Sequence, residues 1–149
     1  MTNTTPVRHL LQKKGTSVLT TTPDTTVYEA IATMVDHNVG SIVVTKEDDL
    51  AGIFTERDYL RRIVLQGRTS KTTSVAEVMT ADVITAAPDM SVESALSTMT
   101  EVRCRHLPVV ADGTLMGIVS IGDCVNHLLR AAETEVDSLQ NYVTGRYPG

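Results

Sequence analysis

Apolar residues recur along the chain in two alternating rhythms. From Thr26 the spacing is helical: Val27, Ala30, Ile31, Met34 and Val35 stand at i, i+3, i+4, i+7 and i+8. Thr26 opens this stretch and Glu29 follows three residues later, the spacing of a capping box. After Gly40 the rhythm changes. Ser41–Thr45 is β-branched and apolar, which predicts a buried strand, and the charged turn Lys46–Asp49 joins it to Leu50–Thr55 as a hairpin. Upstream, Val18–Thr21 is a short β-rich segment closed by the turn signal Pro23-Asp24. Downstream, a helix is predicted from Asp58 to about Gln66, with Leu60, Ile63 and Val64 on one face and Gly67 as its stop. The series is strand, helix, strand, strand, helix.

The same series then recurs. Displaced by 65 residues, Thr22–Val64 falls on Ala87–Leu129 without a gap. Eleven of 43 positions are identical, among them Pro23/Pro88, Asp24/Asp89, Met34/Met99, Gly52/Gly117 and Asp58/Asp123. Average composition would give roughly three. Val83–Ala86, Ser91–Val102, His106–Ala111, Leu115–Ser120 and Gly122–Ala132 are the second set of elements. Further upstream, Val7–Leu11 resembles Val75–Met79 after a shift of three, so that Lys13, Lys14 and Gly15 read as extra residues. The domain reading is a first copy over 7–67, a polar linker over 68–74, a second copy over 75–130 and a tail over 131–149. In the tail, Val136, Leu139 and Val143 have the spacing of a short amphipathic helix, ahead of Arg146-Tyr147-Pro148-Gly149.

A unit of three strands and two helices cannot cover its own apolar face. The expected fold is therefore α/β (α+β): two β-α-β-β-α repeats packed sheet to sheet with pseudo-twofold symmetry. Such a pair makes two related clefts, each lined by both copies.

Composition narrows the function. The 149 residues are 42% hydrophobic and carry a formal charge of −5, which excludes a disordered chain. No apolar run approaches the roughly 20 residues of a membrane span. Met1 to Thr5 is polar with no apolar stretch after it, so the expected location is cytoplasmic. An acidic chain with four tyrosines and one phenylalanine is a poor partner for nucleic acid, which rewards cations and stacking rings. Cys104 and Cys124 form no C-x-x-C pair, and His9, His37, His106 and His127 are scattered, so no metal is expected. Two reduced, buried thiols are the expected state of the cysteines. No nucleophile-and-base motif or phosphate-binding glycine loop is present. The stretch Arg57 to Lys71 carries a net charge of +4 and reads as a solvated face more readily than as a partner patch.

Candidate chemistry lies at one place in each copy. Gly52-Ile53-Phe54-Thr55-Glu56-Arg57-Asp58 and Gly117-Ile118-Val119-Ser120-Ile121-Gly122-Asp123 both run from a glycine through an apolar strand to a hydroxyl residue, with an aspartate three positions later. Ser/Thr-x-x-Asp is a helix N-cap with an anion in the first turn. It is equally a hydroxyl and a carboxylate able to accept from a ribose diol, beside a helix N-terminus suited to phosphate. Capping and ligand contact are compatible, since they use different lone pairs. A second cluster runs from Arg103 through Cys104, Arg105, His106 and Leu107 to Pro108, where arginines ahead of a buried strand are expected phosphate ligands. The first copy has Asn38-Val39-Gly40-Ser41 there and lacks these charges, so the two clefts are expected to differ.

With these motifs the double unit resembles a CBS-domain pair, the Bateman module, of the small stand-alone type. The resemblance is carried by Pro23 to Ala30, Gly52 to Asp58, His106 to Val110 and Gly117 to Asp123, and covers about Val7 to Arg130. It implies a non-enzymatic regulatory protein that binds an adenine nucleotide: AMP first, with ATP, ADP, NAD(H) or S-adenosyl compounds in some members. It implies that Asp58 and Asp123 take the ribose, with Thr55 and Ser120 beside them. Adenine would lie between the first strand (Ser17, Val18, Leu19; Val83, Ile84) and the start of the second (Val39; Cys104). Phosphate held from the other copy's second strand would bring Arg105 and His106 to the Asp58 site, joined by Arg57. The Asp123 site would receive Gly40 and Ser41, with Arg103 local to it. A homodimer and a regulated partner protein are also implied. The rivals are a dimerisation adaptor with vestigial clefts and a nucleotide-hydrolysing enzyme.

Overall fold

A computed structural model describes residues 4–15 and 18–143. Ser17 and the tail residues Arg146, Tyr147, Pro148 and Gly149 lie outside the described residues, as do the side chains of Leu139 and Val143. The elements, in chain order, are α1 (Val7–Lys14), β1 (Thr20–Thr21), α2 (Val27–Asp36), β2 (Ser41–Lys46), β3 (Asp49–Thr55), α3 (Glu56–Tyr59), α4 (Val75–Val78), α5 (Val92–Val102), β4 (His106–Ala111), β5 (Thr114–Ser120) and α6 (Ile121–Val143). The fold is mixed α+β, and its strands follow the order β1-β2-β3-β5-β4.

Most elements stand where the apolar rhythm places them. Thr26 caps α2, its hydroxyl accepting from the Glu29 N–H at 3.1 Å. β2 and β3 form the expected antiparallel hairpin, with Ser41 opposite Thr55 and a bulge between Val44 and Thr45. Glu47 and Asp48 turn it with positive φ, and Asp112 and Gly113 do the same between β4 and β5, as tight hairpin turns require. Three elements differ from expectation. The strand predicted over Val83–Ala86 is reduced to a single bridge, Ala86 with Val109. The helix predicted from Asp58 to Gln66 changes character: after α3 the turn Leu60–Val64 is π-helical, with the Leu65 N–H reaching the Leu60 carbonyl at 3.0 Å. And α6 runs unbroken through 23 residues, so the helix expected in the tail is a continuation of the helix before it.

The chain divides into two compact units, and these are not the two sequence copies. One unit takes in α1, Ala86–Val109 and the chain from Gly117 onward; the other runs from Ser17 to Thr85 and adds Val110–Met116. Val7, Leu10 and Leu11 of α1 are buried in a core with Val92, Ala95, Met99, Leu107, Val109 and Val119 of the second copy. Val75 and Val78 of α4 are buried in a core with Val27, Ala30, Met34, Ile42, Val44, Phe54 and Ile63 of the first. Each copy's leading helix is thus exchanged into the other copy's core. The hydrogen bonds that seat the two helices correspond position by position. The N–H groups of Val75 and Ala76 donate to the carbonyls of Thr25 and Pro23 at 2.8 and 3.1 Å, while those of Val7 and Arg8 donate to Met90 and Pro88 at 2.8 and 3.1 Å. Helix-terminal N–H groups have no partner within their own helix, and the Pro-Asp turns supply one.

The hairpin of β4 and β5 lends its tip to the Ser17–Thr85 unit. There Asp49 pairs with Thr114, and the Leu115 N–H reaches the Asp48 carbonyl at 3.2 Å. In the same unit the basic stretch finds partners within the chain. Arg62 donates to the carbonyls of Val78 and Met79 at 3.1 and 3.0 Å, Arg68 pairs with Glu77 at 2.7 Å, and Lys71 stands 5.0 Å from the centre of the Tyr28 ring.

Candidate functional site

In the unit that holds the first copy, β3 ends at Thr55 and the chain turns into α3 through a complete capping box. The Asp58 N–H donates to the Thr55 hydroxyl at 3.1 Å, and one Asp58 carboxylate oxygen accepts from the Thr55 N–H at 3.1 Å and the Thr55 hydroxyl at 3.2 Å. Asp58 is 8% exposed, and a carboxylate this enclosed needs every donor around it. A further donor comes from Thr80, whose hydroxyl lies 3.3 Å from the other carboxylate oxygen. Sequence reasoning missed Thr80, because only the seating of α4 brings it there. Its backbone is bridged to Ile53 in both directions at 2.9 Å.

The same junction holds Gly40 and Ser41. The Glu56 N–H donates to the Gly40 carbonyl at 3.0 Å, and a Cβ built on Gly40 would stand 3.4 Å from a Glu56 carboxylate oxygen. Asn38, at φ 53°, makes the left-handed step ahead of it. Leu19 meets β2 through a 3.3 Å bond from the Val43 N–H, next to Val18, which is half-buried. Val39 and Arg57 are exposed. The candidate residues Leu19, Gly40, Ser41, Thr55 and Asp58 are therefore gathered around the ends of β1, β2 and β3.

The second copy repeats this within its own unit. Ser120 donates its N–H to an Asp123 carboxylate oxygen at 2.9 Å, and the Asp123 N–H returns to the Ser120 hydroxyl at 3.0 Å. The Ile121 N–H donates to the Arg105 carbonyl at 3.0 Å, the counterpart of the Glu56–Gly40 bond. Arg103 takes the left-handed step, at φ 57°, a conformation that costs a non-glycine residue about 1 kcal/mol. Its side chain and that of Arg105 are exposed, and His106 begins β4 partly buried. Pro108 is buried, its carbonyl accepting from the Ala86 N–H at 2.8 Å. Cys104 is a half-buried free thiol whose pKa burial pushes up, opposed by hydrogen bonds from its own N–H and that of His106. Cys124 is fully buried in the core. Val83 and Ile84 form irregular chain ahead of the Ala86 bridge, with Ile84 exposed. Among the described residues, no cluster of three or more His, Cys, Asp or Glu side chains could hold a metal ion. No described helix is long and apolar enough to cross a membrane.

The doubled β-α-β-β-α series, with a hydroxyl–aspartate junction closing the last strand of each copy, defines a tandem-repeat architecture. The chain belongs to the CBS domain family, whose profile matches residues 7–65 and 75–130. It is 43% identical over 152 residues to the mitochondrial CBS domain-containing protein CBSX3 of Arabidopsis thaliana, covering 96% of this chain and 74% of that protein. To the CBS domain-containing protein YhcV of Bacillus subtilis it is 41% identical over 108 residues, covering 72% of this chain and 76% of YhcV. Among solved structures it is similar to a Burkholderia ambifaria protein named for signal transduction and its CBS domains. The TM-score there is 0.77 at 43% identity, covering 85% of this chain and 95% of that one. The repeat found in the sequence is a pair of CBS domains.

Proposed function

We propose that this protein is a non-enzymatic regulatory module that binds an adenine nucleotide, AMP in preference to ADP, ATP or NAD(H), as a cytoplasmic homodimer. The observation that carries the reading is the doubled acidic cap. Thr55 with Asp58, and Ser120 with Asp123, each offer an oriented carboxylate at the N-terminus of a helix, where a diol and a phosphate find acceptor and donors together. A carboxylate held by Thr55 and Thr80 loses little freedom on accepting a ribose, which favours affinity at Asp58. Arg57 adds a cation one residue away, where the second copy has Gly122. The signal-transduction name of the Burkholderia ambifaria relative agrees with a regulatory role.

Isothermal titration with AMP tests the reading. The wild type is expected to bind, Asp58→Ala to lose more affinity than Asp123→Ala, and ATP or NADH to be returned unchanged after incubation. Equal losses, or a greater loss at Asp123, would overturn the ranking. Absence of heat or thermal shift with AMP, ATP, NAD(H) and S-adenosylmethionine would leave the adaptor reading in its place. Native mass spectrometry of freshly purified protein reads the subunit count and any retained nucleotide.

A further inference from the structure

The two copies differ beside their last helices. In the first copy, Arg62 reaches across to α4 and occupies the carbonyls of Val78 and Met79. The residue 65 positions on is His127, which faces α1 instead. Its ring meets His9 edge to face at 6.0 Å, and among the described residues its Nε2 is buried without a hydrogen-bond partner. The difference traces to the extra residues of the sequence. Four-residue α4 gives way to extended chain at Met79 and Thr80, whereas eight-residue α1 continues helically to Lys14 and carries Lys13 alongside α6. A cavity of about 440 Å³ remains between α1 and α6, within the volume range of small-molecule sites.

Its lining has a distinct chemistry. Leu10 and Ala131 are its apolar members, and Asn126, His127, Arg130 and Thr134 follow one face of α6. Lys13 and Arg130 bring two permanent cations, and among the described residues neither has an ion-pair partner. Asp123, at the N-terminal end of α6, is the one carboxylate in the lining and accepts from the Ser120 N–H. In a chain with 13 Lys and Arg against 18 Asp and Glu, this is a local reversal of sign. Burial above all, then Lys13 and His9, hold the His127 imidazole below its ordinary pKa, which favours its uncharged form.

We propose that the cavity between α1 and α6, which borders the proposed second-copy nucleotide site at Asp123, takes the phosphate group of a small phosphorylated molecule between Lys13, Arg130 and His127. Lys13 and Arg130 supply charge-assisted donors. The His127 imidazole carries one N–H donor when neutral, and a dianion that outweighs Lys13 favours its protonated form, in which both ring nitrogens donate. The volume leaves room for an organic portion beyond phosphate itself, set against Leu10 and Ala131.

The test is an NMR titration of the full chain, following the histidine ring signals, with His127 assigned through His127→Gln. Inorganic phosphate is expected to shift His127 saturably and to raise its apparent pKa, while chloride at equal ionic strength does neither. Lys13→Ala and Arg130→Ala, both at exposed positions, are each expected to weaken the midpoint about tenfold without loss of fold. Ribose 5-phosphate in a parallel titration separates an organic phosphate, which saturates at lower concentration, from free phosphate, which does not. A His127 signal that fails to saturate, or midpoints unchanged in both alanine variants, would overturn the proposal.

Discussion

The hydroxyl of Thr80 lies 3.3 Å from the carboxylate of Asp58, joining residues 22 positions apart. That contact ties the exchanged helix α4 to the capping box where β3 becomes α3.

Thr80→Val keeps the shape and removes the donor. One neutral-to-charged hydrogen bond lost from a buried carboxylate costs about 1 to 2 kcal/mol, read as a lower midpoint in urea unfolding. Because the substitution also frees the Asp58 carboxylate to move, AMP affinity is expected to fall about threefold to tenfold. Unchanged affinity alongside reduced stability would confine Thr80 to a structural role.

Gly52 and Gly117 are repeat equivalents that should respond unequally to alanine. A Cβ at Gly52 would stand 2.7 Å from the Thr80 carbonyl oxygen and 2.8 Å from the Met79 sulfur. A backbone oxygen bonded to Ile53 cannot step aside, so Gly52→Ala is expected to cost roughly 2 to 3 kcal/mol. At Gly117 the added carbon meets the branch end of Leu11 at 2.7 Å, which rotation relieves in part. Gly117→Ala should therefore cost about 1 kcal/mol less than Gly52→Ala in parallel denaturant titrations.

Glu77 carries an acid-side dependence. The Ser74 N–H, then Arg68 and the Ser74 hydroxyl, hold its pKa below the ordinary value. A folded-state pKa lower than the unfolded one adds stability above the unfolded value, and that stability is lost as pH falls through the folded one. The melting temperature of Glu77→Gln should lie below wild type at pH 7. The two should converge as pH drops below about 4.

Cys104 reports on the second-copy site. With its thiol pushed up by burial, alkylation at pH 7.5 should be slower than for a free cysteine, since the thiolate is the nucleophile. The rate should rise as pH is raised. Under the proposed function, AMP slows it further in the wild type and less so in Asp123→Ala; mass-resolved alkylation kinetics check this. Cys124, fully buried, should react only after unfolding.

The amino-acid sequence by itself determined the element series, the repeat and the acidic caps, because each is written in local spacing. The i, i+3, i+4 stripe from Val27, the turn residues of the hairpins and the Thr55–Asp58 and Ser120–Asp123 pairs are all determined within ten residues. Even the asymmetry was visible, as Lys13, Lys14 and Gly15 without counterpart. Only the tertiary structure decided the rest. It exchanged α1 and α4 between the cores, reduced Val83–Ala86 to a bridge and loosened Leu60–Val64 into a π turn. It also brought Thr80 to Asp58, Arg62 to α4 and His127 to His9. The apolar pattern of a short helix says that it must bury a face. Two copies with near-identical cores offer it two places to do so, and local periodicity carries no information about which one satisfies its terminal N–H groups.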